Sequence, residues 1–482
     1  MKRKKLKPLK PNHRNITRRS LLGQGVISMS AAIAMPSPLF LISQRAYAAG
    51  CDDAPFTKMM PFLCVDLGGG ANLSGANLMV GGKGGQLDFL PEGSYATLGL
   101  SSAIEPSKLA LNQEMGLAFH PESRLLSGIL NATSAPTRGQ IDGGVFCTVS
   151  ADDTGNNPHN PTYWIAKTGL QGQVVNLVGT SDTISGGRAS APASSIDPTK
   201  APARIGNAQD VVGLIAAGQL GELLGEKGVN QIIQATNSMS QTALARFHQK
   251  SYANQIKDLL DCAYSKSKDQ LSKFTADAVD PRQDQILSEI FDMNDQEEQR
   301  AGAIAKLLMD GLAGGATLSL GGYDYHNNPR TTTDPRDERA GTIIGKTLEY
   351  AARKKQDIMI YAFSDGGISC RADAGNMDND TGRFNPSSDS GTRSLAFSMI
   401  YRAEGARPVI RQDGRQIGSY IKSGAVDSRD NLISNSVENL SKAVVANYLA
   451  LYGREGELEK IVGDDPFKND LDKYLLFSKM FG

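Results

Sequence analysis

Asp324 and His326 stand two residues apart in LSLGGYDYHNNP, residues 318–329, just after an apolar run broken by two glycines. Successive side chains alternate in extended backbone, so this spacing predicts that carboxylate and imidazole face one side. Such a pair can ligate a divalent ion, act as an acid–base pair, or form no more than a His–Asp hydrogen bond on a loop. Two other acids stand in similar places. Asp66 ends MPFLCVD before three glycines follow Leu67, and Asp365 ends DIMIYAFSD before two glycines. Asp389, in NPSSDSGTRS, precedes another apolar run. An Asp-Gly strand end is also a common turn, so each acid has a structural reading beside the liganding one. His120 and His159 are the other histidines outside the basic leader and the helical segment, and each is either structural or a ligand. His248 falls in a helical pattern and is assigned no role. With five histidines in all, a histidine-rich dinuclear centre is hard to assemble.

Other short patterns are weaker. SAPTR, residues 134–138, has the Ser-x-Pro-x-Arg form of a sulfatase nucleophile, which sits at a helix start; GQIDGGVFCTV after it reads as a loop and then a strand. GGGANLSGAN and GGKGG lack the Gly-Lys-Ser/Thr of a P-loop. No Gly-x-Ser-x-Gly elbow is present.

Strands are expected at 60–70, 144–150, 173–179, 316–322, 357–367 and 395–403, from short apolar runs bounded by Gly and polar residues. Helices are expected at 120–130, starting at Pro121, and at 339–355 and 436–453. Residues 180–204 read as a surface loop, and 207–312 as a mainly helical insertion with i, i+3, i+4 apolar stripes. The alternation argues for an α/β domain with a mostly parallel sheet. Ligands of such sheets sit beyond the carboxyl ends of the strands, so Asp66, Asp324 and Asp365 are candidates to converge.

Residues 1–48 hold ten Lys and Arg and no Asp or Glu, which leaves 41 basic and 51 acidic residues beyond them. Nothing in that balance suggests nucleic acid. A basic start, a mild apolar stretch and Ala46-Tyr47-Ala48 read as a signal peptide cleaved near Ala48. TRRSLL, residues 17–22, resembles the twin-arginine export signal, so the translocase is the expected partner and the periplasm the expected location. An ordinary secretory signal and lipoprotein processing at Cys51 are the alternatives. No later stretch is long and apolar enough to span a bilayer. Five widely spaced cysteines make neither a disulfide framework nor a zinc motif; Cys64 and Cys147 read as core thiols.

Taken in order, the segments resemble domain-of-unknown-function family 1501, twin-arginine-exported bacterial proteins related in fold to alkaline phosphatases and sulfatases. DLGGGANLSGANLMV is similar to its Gly-Gly-x-Asp-Gly-Leu stretch and LNQEMGLAFHPESRLL to its Leu-His-Pro segment. NNPHNPTYWIAKTG falls at its Ser-His-Phe, and GGYDYHNN resembles its Gly-Trp-Asp-Thr-His-x-Asn. AFSDGGIS falls at its Ser-Glu-Phe-Gly-Arg, and SSDSGTRS at its Gly-Thr-Asp-His-Gly. The resemblance implies an alkaline phosphatase-like three-layer sandwich over 49–482, helices on both faces of the sheet, and a metal-bearing sheet edge. It implies Asp324, His326 and Asp389 as ligands of a divalent ion (Zn, Ca, Mg or Mn), with Asp66 and Asp365 as further candidates. Ser390 stands where the family has His, Asn72 and Asp365 where it has Asp and Glu, and Ile368-Ser369 where it has Arg-Thr. Ser74 is the nearest hydroxyl in the first glycine loop. Both a metal-dependent esterase and a non-catalytic binding member follow from this pattern.

Overall fold

Leu63, Val65 and Leu67 alternate with Phe62, Cys64 and Asp66, and all six are buried. Strand β1 (Phe62–Leu67) is therefore covered on both faces, as a parallel strand inside an α/β layer must be. The computed structural model describes residues 60–150, 155–170, 175–214 and 279–481. The signal segment 1–48, Cys51, Cys262, His248 and most of 207–312 lie outside the described residues.

The main sheet adds β2 (Ile141–Thr148), β3 (Val175–Gly179), β4 (Ala203–Arg204), β5 (Ala313–Leu320) and β6 (Ile358–Ser364). Further along are β7 (Ile368–Cys370), β8 (Met377–Asp378), β9 (Arg383–Phe384), β10 (Pro386–Asp389), β11 (Ser394–Tyr401) and β12 (Gln416–Ile417). The main-sheet order is β12-β2-β11-β6-β1-β5-β3-β4. Only β11 runs against its neighbours, β2 and β6; the rest are parallel. The protein is thus α/β with a large, mostly parallel mixed sheet.

Phe62, Cys64, Met359, Tyr361 and Phe363 form one core face with Trp164 of a short helix and Leu440, Val444 and Tyr448 of a C-terminal one. Each large apolar side chain buried here contributes roughly 2 kcal/mol. We number the helices used below α1 (Arg124–Ala132), α2 (Ala135–Gly139), α3 (Thr162–Thr168), α4 (Gln296–Met309), α5 (Arg330–Arg353) and α6 (Val437–Ala450). Helices α3 and α6 carry that face, whereas α5 packs on β6 and β11 and α4 on β5.

Several boundaries differ from the sequence expectation. Helix α5 begins at Arg330 rather than Arg339 and holds Pro335 inside it. Its first turns bury Thr333, Asp334 and Asp337, so no apolar stripe marks them. Helix α1 starts after Ser123 rather than at Pro121, because the Ser123 hydroxyl accepts the Leu126 N–H. Ser134 is the N-cap of the short helix α2, and the strand expected after SAPTR follows from Ile141 as β2. That helix precedes the N-terminal end of β2, so Ser134 sits at the sheet edge opposite the ends of β1, β5 and β6. Residues 185–187 and 189 are buried rather than part of a surface loop, for a reason given below. Of 207–312, the described pieces include Ala208–Leu214, Gln285–Ile290 and α4; α4 runs almost directly into β5 as part of the sheet's covering layer. Cys64, Cys147 and Cys370 are buried free thiols, and burial pushes each thiol up. No helix among the described residues is long and apolar enough to cross a membrane.

Candidate metal centre

Strands β6, β1 and β5 are neighbours in parallel register, with Leu67 opposite both Leu320 and Ser364. Their carboxyl ends therefore open onto one edge. From β1 the chain enters Gly68-Gly69-Gly70. From β5 it enters the loop that carries Asp324 and His326. From β6 it passes Asp365 and two glycines into β7, whose antiparallel partner β10 ends on Asp389, opposite Ile368.

The glycine loop is the floor of this edge. The Ser364 hydroxyl donates to the Gly69 carbonyl at 2.6 Å and accepts the Ala71 N–H at 2.8 Å, which fixes the turn. Tyr325 N–H donates to the Gly70 carbonyl at 3.2 Å, docking the second loop on the first. A Cβ on Gly69 would lie 2.5 Å from Asp324 N, and one on Gly70 would lie 3.7 Å from Asp389 Oδ1. The glycines thus admit both acids to one place.

Within 323–326 the expected alternation holds. Tyr323 and Tyr325 are buried and stack with centroids 5.7 Å apart. Asp324 and His326 face outward, with side chains 38% and 43% exposed. Asn327 takes the left-handed conformation (φ 56°) that Asn tolerates. Asn328 Nδ2 donates to the carbonyls of Asp324 (3.0 Å) and His326 (3.3 Å), closing the loop.

One ligand atom from each of Asp324, His326 and Asp389 lies within 4.8 Å of the other two. His326 Nδ1 is in close contact with Asp324 Oδ1 and 3.4 Å from Asp389 Oδ1. The first pair lacks hydrogen-bond alignment in spite of its proximity. Donors about 2.1 Å from one ion stand roughly 3–3.5 Å apart, a spacing the second pair already has. Two carboxylates and an imidazole suit Zn²⁺ or Mn²⁺ more than an all-oxygen Ca²⁺ site. The residues fit a divalent ion, and their exposure of 38–48% leaves it open to solvent.

The other candidates are used differently. Asp66 is fully buried, and its Oδ2 accepts the N–H groups of Arg188 (2.5 Å) and Ala189 (2.9 Å) and the Ser319 hydroxyl (3.4 Å). Burial pushes its carboxyl up, against those hydrogen bonds and the Arg188 charge. This is what draws the 185–189 segment inward. Asp365 is also fully buried and accepts the Gly155 N–H and, at 2.9 Å, Asn157 Nδ2. Neither acid joins the three-residue cluster. Ser74 donates its hydroxyl to the Arg393 carbonyl at 3.0 Å. Asn72 is buried and its Oδ1 accepts Arg330 Nη2 at 2.6 Å. Ser390, beside Asp389, accepts Arg393 Nη1 at 2.9 Å.

The two other described histidines are buried and lie outside the three-residue cluster. His120 Nε2 donates to the Ile104 carbonyl at 2.8 Å and its Nδ1 accepts the Glu122 N–H at 3.1 Å; burial lowers its pKa. His159 is fully buried, stacks on Phe363 with centroids 4.9 Å apart and has Nε2 3.2 Å from Ser150 Oγ. Burial pushes its imidazole down to about 3 from 6.5. A depressed pKa means stability that is present above pH 6.5 and lost as pH falls toward 3, by at most roughly 5 kcal/mol. We predict that His159→Phe flattens this acid limb of the unfolding free energy. An unchanged slope between pH 6.5 and 4 would refute it.

A depression lined by Asp295, Glu297, Arg300, Tyr323, Arg336 and Arg339 lies beside the loop but contains none of the three ligands. Its Arg339 is already bonded to Asp295, Glu297 and Glu298.

Asp337 and Asn77 are missed by sequence reasoning. The available signal was a carboxylate on the buried side of α5, at i+4 from Thr333. No family model, curated protein or solved structure matches this chain.

Proposed function

We propose that this protein is a divalent-ion-dependent hydrolase of phosphate or sulfate esters, with an alkaline phosphatase-like fold. The convergence of Asp324, His326 and Asp389 at an open strand-end edge carries this reading. Three protein ligands leave positions for water and an ester oxygen, the pattern of catalytic rather than structural ions. A bound ion supplies charge stabilisation at a phosphoryl or sulfuryl oxygen and acidifies water. The carboxylates of Asp324 and Asp389 would offset the ion's charge, and His326 would hold it through Nδ1. Ser74, with its proton directed to a backbone carbonyl, is not poised as nucleophile; solvent reaching the exposed side is the attacking group in this reading.

A second reading, a non-catalytic binding member of the same fold, has its own support. Ser390 replaces the imidazole that the resembled family has beside Asp389, and Asp66 and Asp365 are committed to backbone loops. Aryl phosphates and sulfates offered with Zn²⁺, Mn²⁺, Mg²⁺ or Ca²⁺ separate the two. We expect turnover with at least one ion, abolished by EDTA. A bound ion without turnover favours the second reading; neither ion nor turnover removes the first. We also propose export by the twin-arginine route from residues 17–22. An Arg18→Lys/Arg19→Lys chain is expected to stay in the cytoplasm, and its normal export would contradict this.

A further inference from the structure

Asp337 is 1% exposed, although a carboxylate is costly to bury without partners. Two donors reach it from two different loops. The Tyr325 hydroxyl lies 2.8 Å from Oδ1, and Asn77 Nδ2 lies 2.7 Å from Oδ2. Tyr325 separates the two ligands of the β5 loop. Asn77 follows the glycine turn, donates to the Asn72 carbonyl at 3.0 Å, and accepts the Ser123 hydroxyl at 2.8 Å. One buried carboxylate on α5 therefore joins the ligand loop, the glycine loop and the start of α1. Tyr325 is held at both ends, by its N–H on Gly70 and by its hydroxyl, which is 2.8 Å from Asp337 Oδ1 and 3.2 Å from the Thr333 carbonyl. A swing of that residue would move Asp324 and His326 together and away from Asp389.

We propose that Asp337 and Tyr325 are the positioning pair of the metal centre: through this hydrogen bond α5 sets where Asp324 and His326 present their ligand atoms. The inference rests on the ligand reading above. It differs from a simple core contact in predicting an effect on ion affinity at unchanged stoichiometry.

The test compares the full chain with Tyr325→Phe, Asp337→Ala and the double variant. Zn²⁺ alone is titrated against a chromophoric chelator, and hydrogen exchange of residues 321–329 is followed in metal-free protein. Each single variant is expected to lose Zn²⁺ affinity by roughly 10-fold or more. The double variant should lose little beyond the worse single, because the Tyr325–Asp337 hydrogen bond is already absent from each single. Tyr325→Phe deletes one oxygen and decides the matter if Asp337→Ala does not fold. If the wild type binds Zn²⁺, wild-type affinity in folded Tyr325→Phe overturns the proposal. If the wild type binds none, the ligand reading fails and exchange decides the pair. Faster exchange confined to 321–329 in the variants then sustains the positioning role, and unchanged exchange overturns it.

Discussion

His326→Ala is expected to abolish divalent-ion binding and any ion-dependent turnover while leaving the fold intact. Loss of a partner that only orients a ligand costs about 10–100-fold in affinity, so loss of a ligand from a three-residue set should exceed about 100-fold. The remaining carboxylates of Asp324 and Asp389 would hold an ion only as loosely as an exposed acidic pair does. The stability cost should be small. His326 is 43% exposed on a loop, and substitutions away from the core usually fall within about 0.5 kcal/mol. Chelator competition and thermal unfolding of the same samples read both terms. A variant that melts like wild type but binds Zn²⁺ or Mn²⁺ as tightly would contradict the ligand role.

Gly69→Ala should give the largest loss of stability, and should damage the site as well. Gly69 has φ of 122°, outside the range that Ala adopts without strain. Its added Cβ would meet Asp324 N at 2.5 Å and Asp324 Cα at 2.7 Å, both backbone atoms that cannot swing aside. Backbone strain of about 1–3 kcal/mol and overpacking of similar size together predict roughly 3 kcal/mol or more. Relief requires the Asp324 loop to lift from Gly70, which separates Asp324 from Asp389. Gly93→Ala is the matched control. Gly93 also has positive φ (84°) but nothing within 4 Å of an added Cβ. Denaturant unfolding should therefore show a small shift for Gly93→Ala, and a large one with loss of ion binding for Gly69→Ala. Equal shifts would mean that loop apposition at Gly69 is unimportant.

What could be read from sequence follows the range of the interactions. The alternation of Tyr323, Asp324, Tyr325 and His326 is local, and it was legible as two chemical groups on one side. The parallel arrangement of β1, β5 and β6 was legible from buried apolar runs ending in Gly, which placed their acids at one edge. The use of each acid was not. Asp66 and Asp365 resemble Asp324 in sequence, yet their partners include backbone N–H groups at 188–189 and 155 and the side chains of Ser319 and Asn157. Those contacts depend on how distant loops fold back, and no residue pattern near either acid encodes them. Asp389 reaches the site through the antiparallel pairing of β10 with β7, short strands that β8 and β9 separate in the chain and that carry no strong apolar signal. Asp337 was hidden for a related reason: its helix begins in TTTDPRDERA, where polar residues bonded inside the protein look like a solvated loop.

The most direct measurement is the anomalous difference map of crystals of this protein grown or soaked with Mn²⁺. One peak bonded to a carboxylate oxygen of Asp324, to His326 Nδ1 and to a carboxylate oxygen of Asp389 is the expected result. An empty edge at saturating Mn²⁺, or an ion bound without His326, would contradict a metal centre built from these three residues.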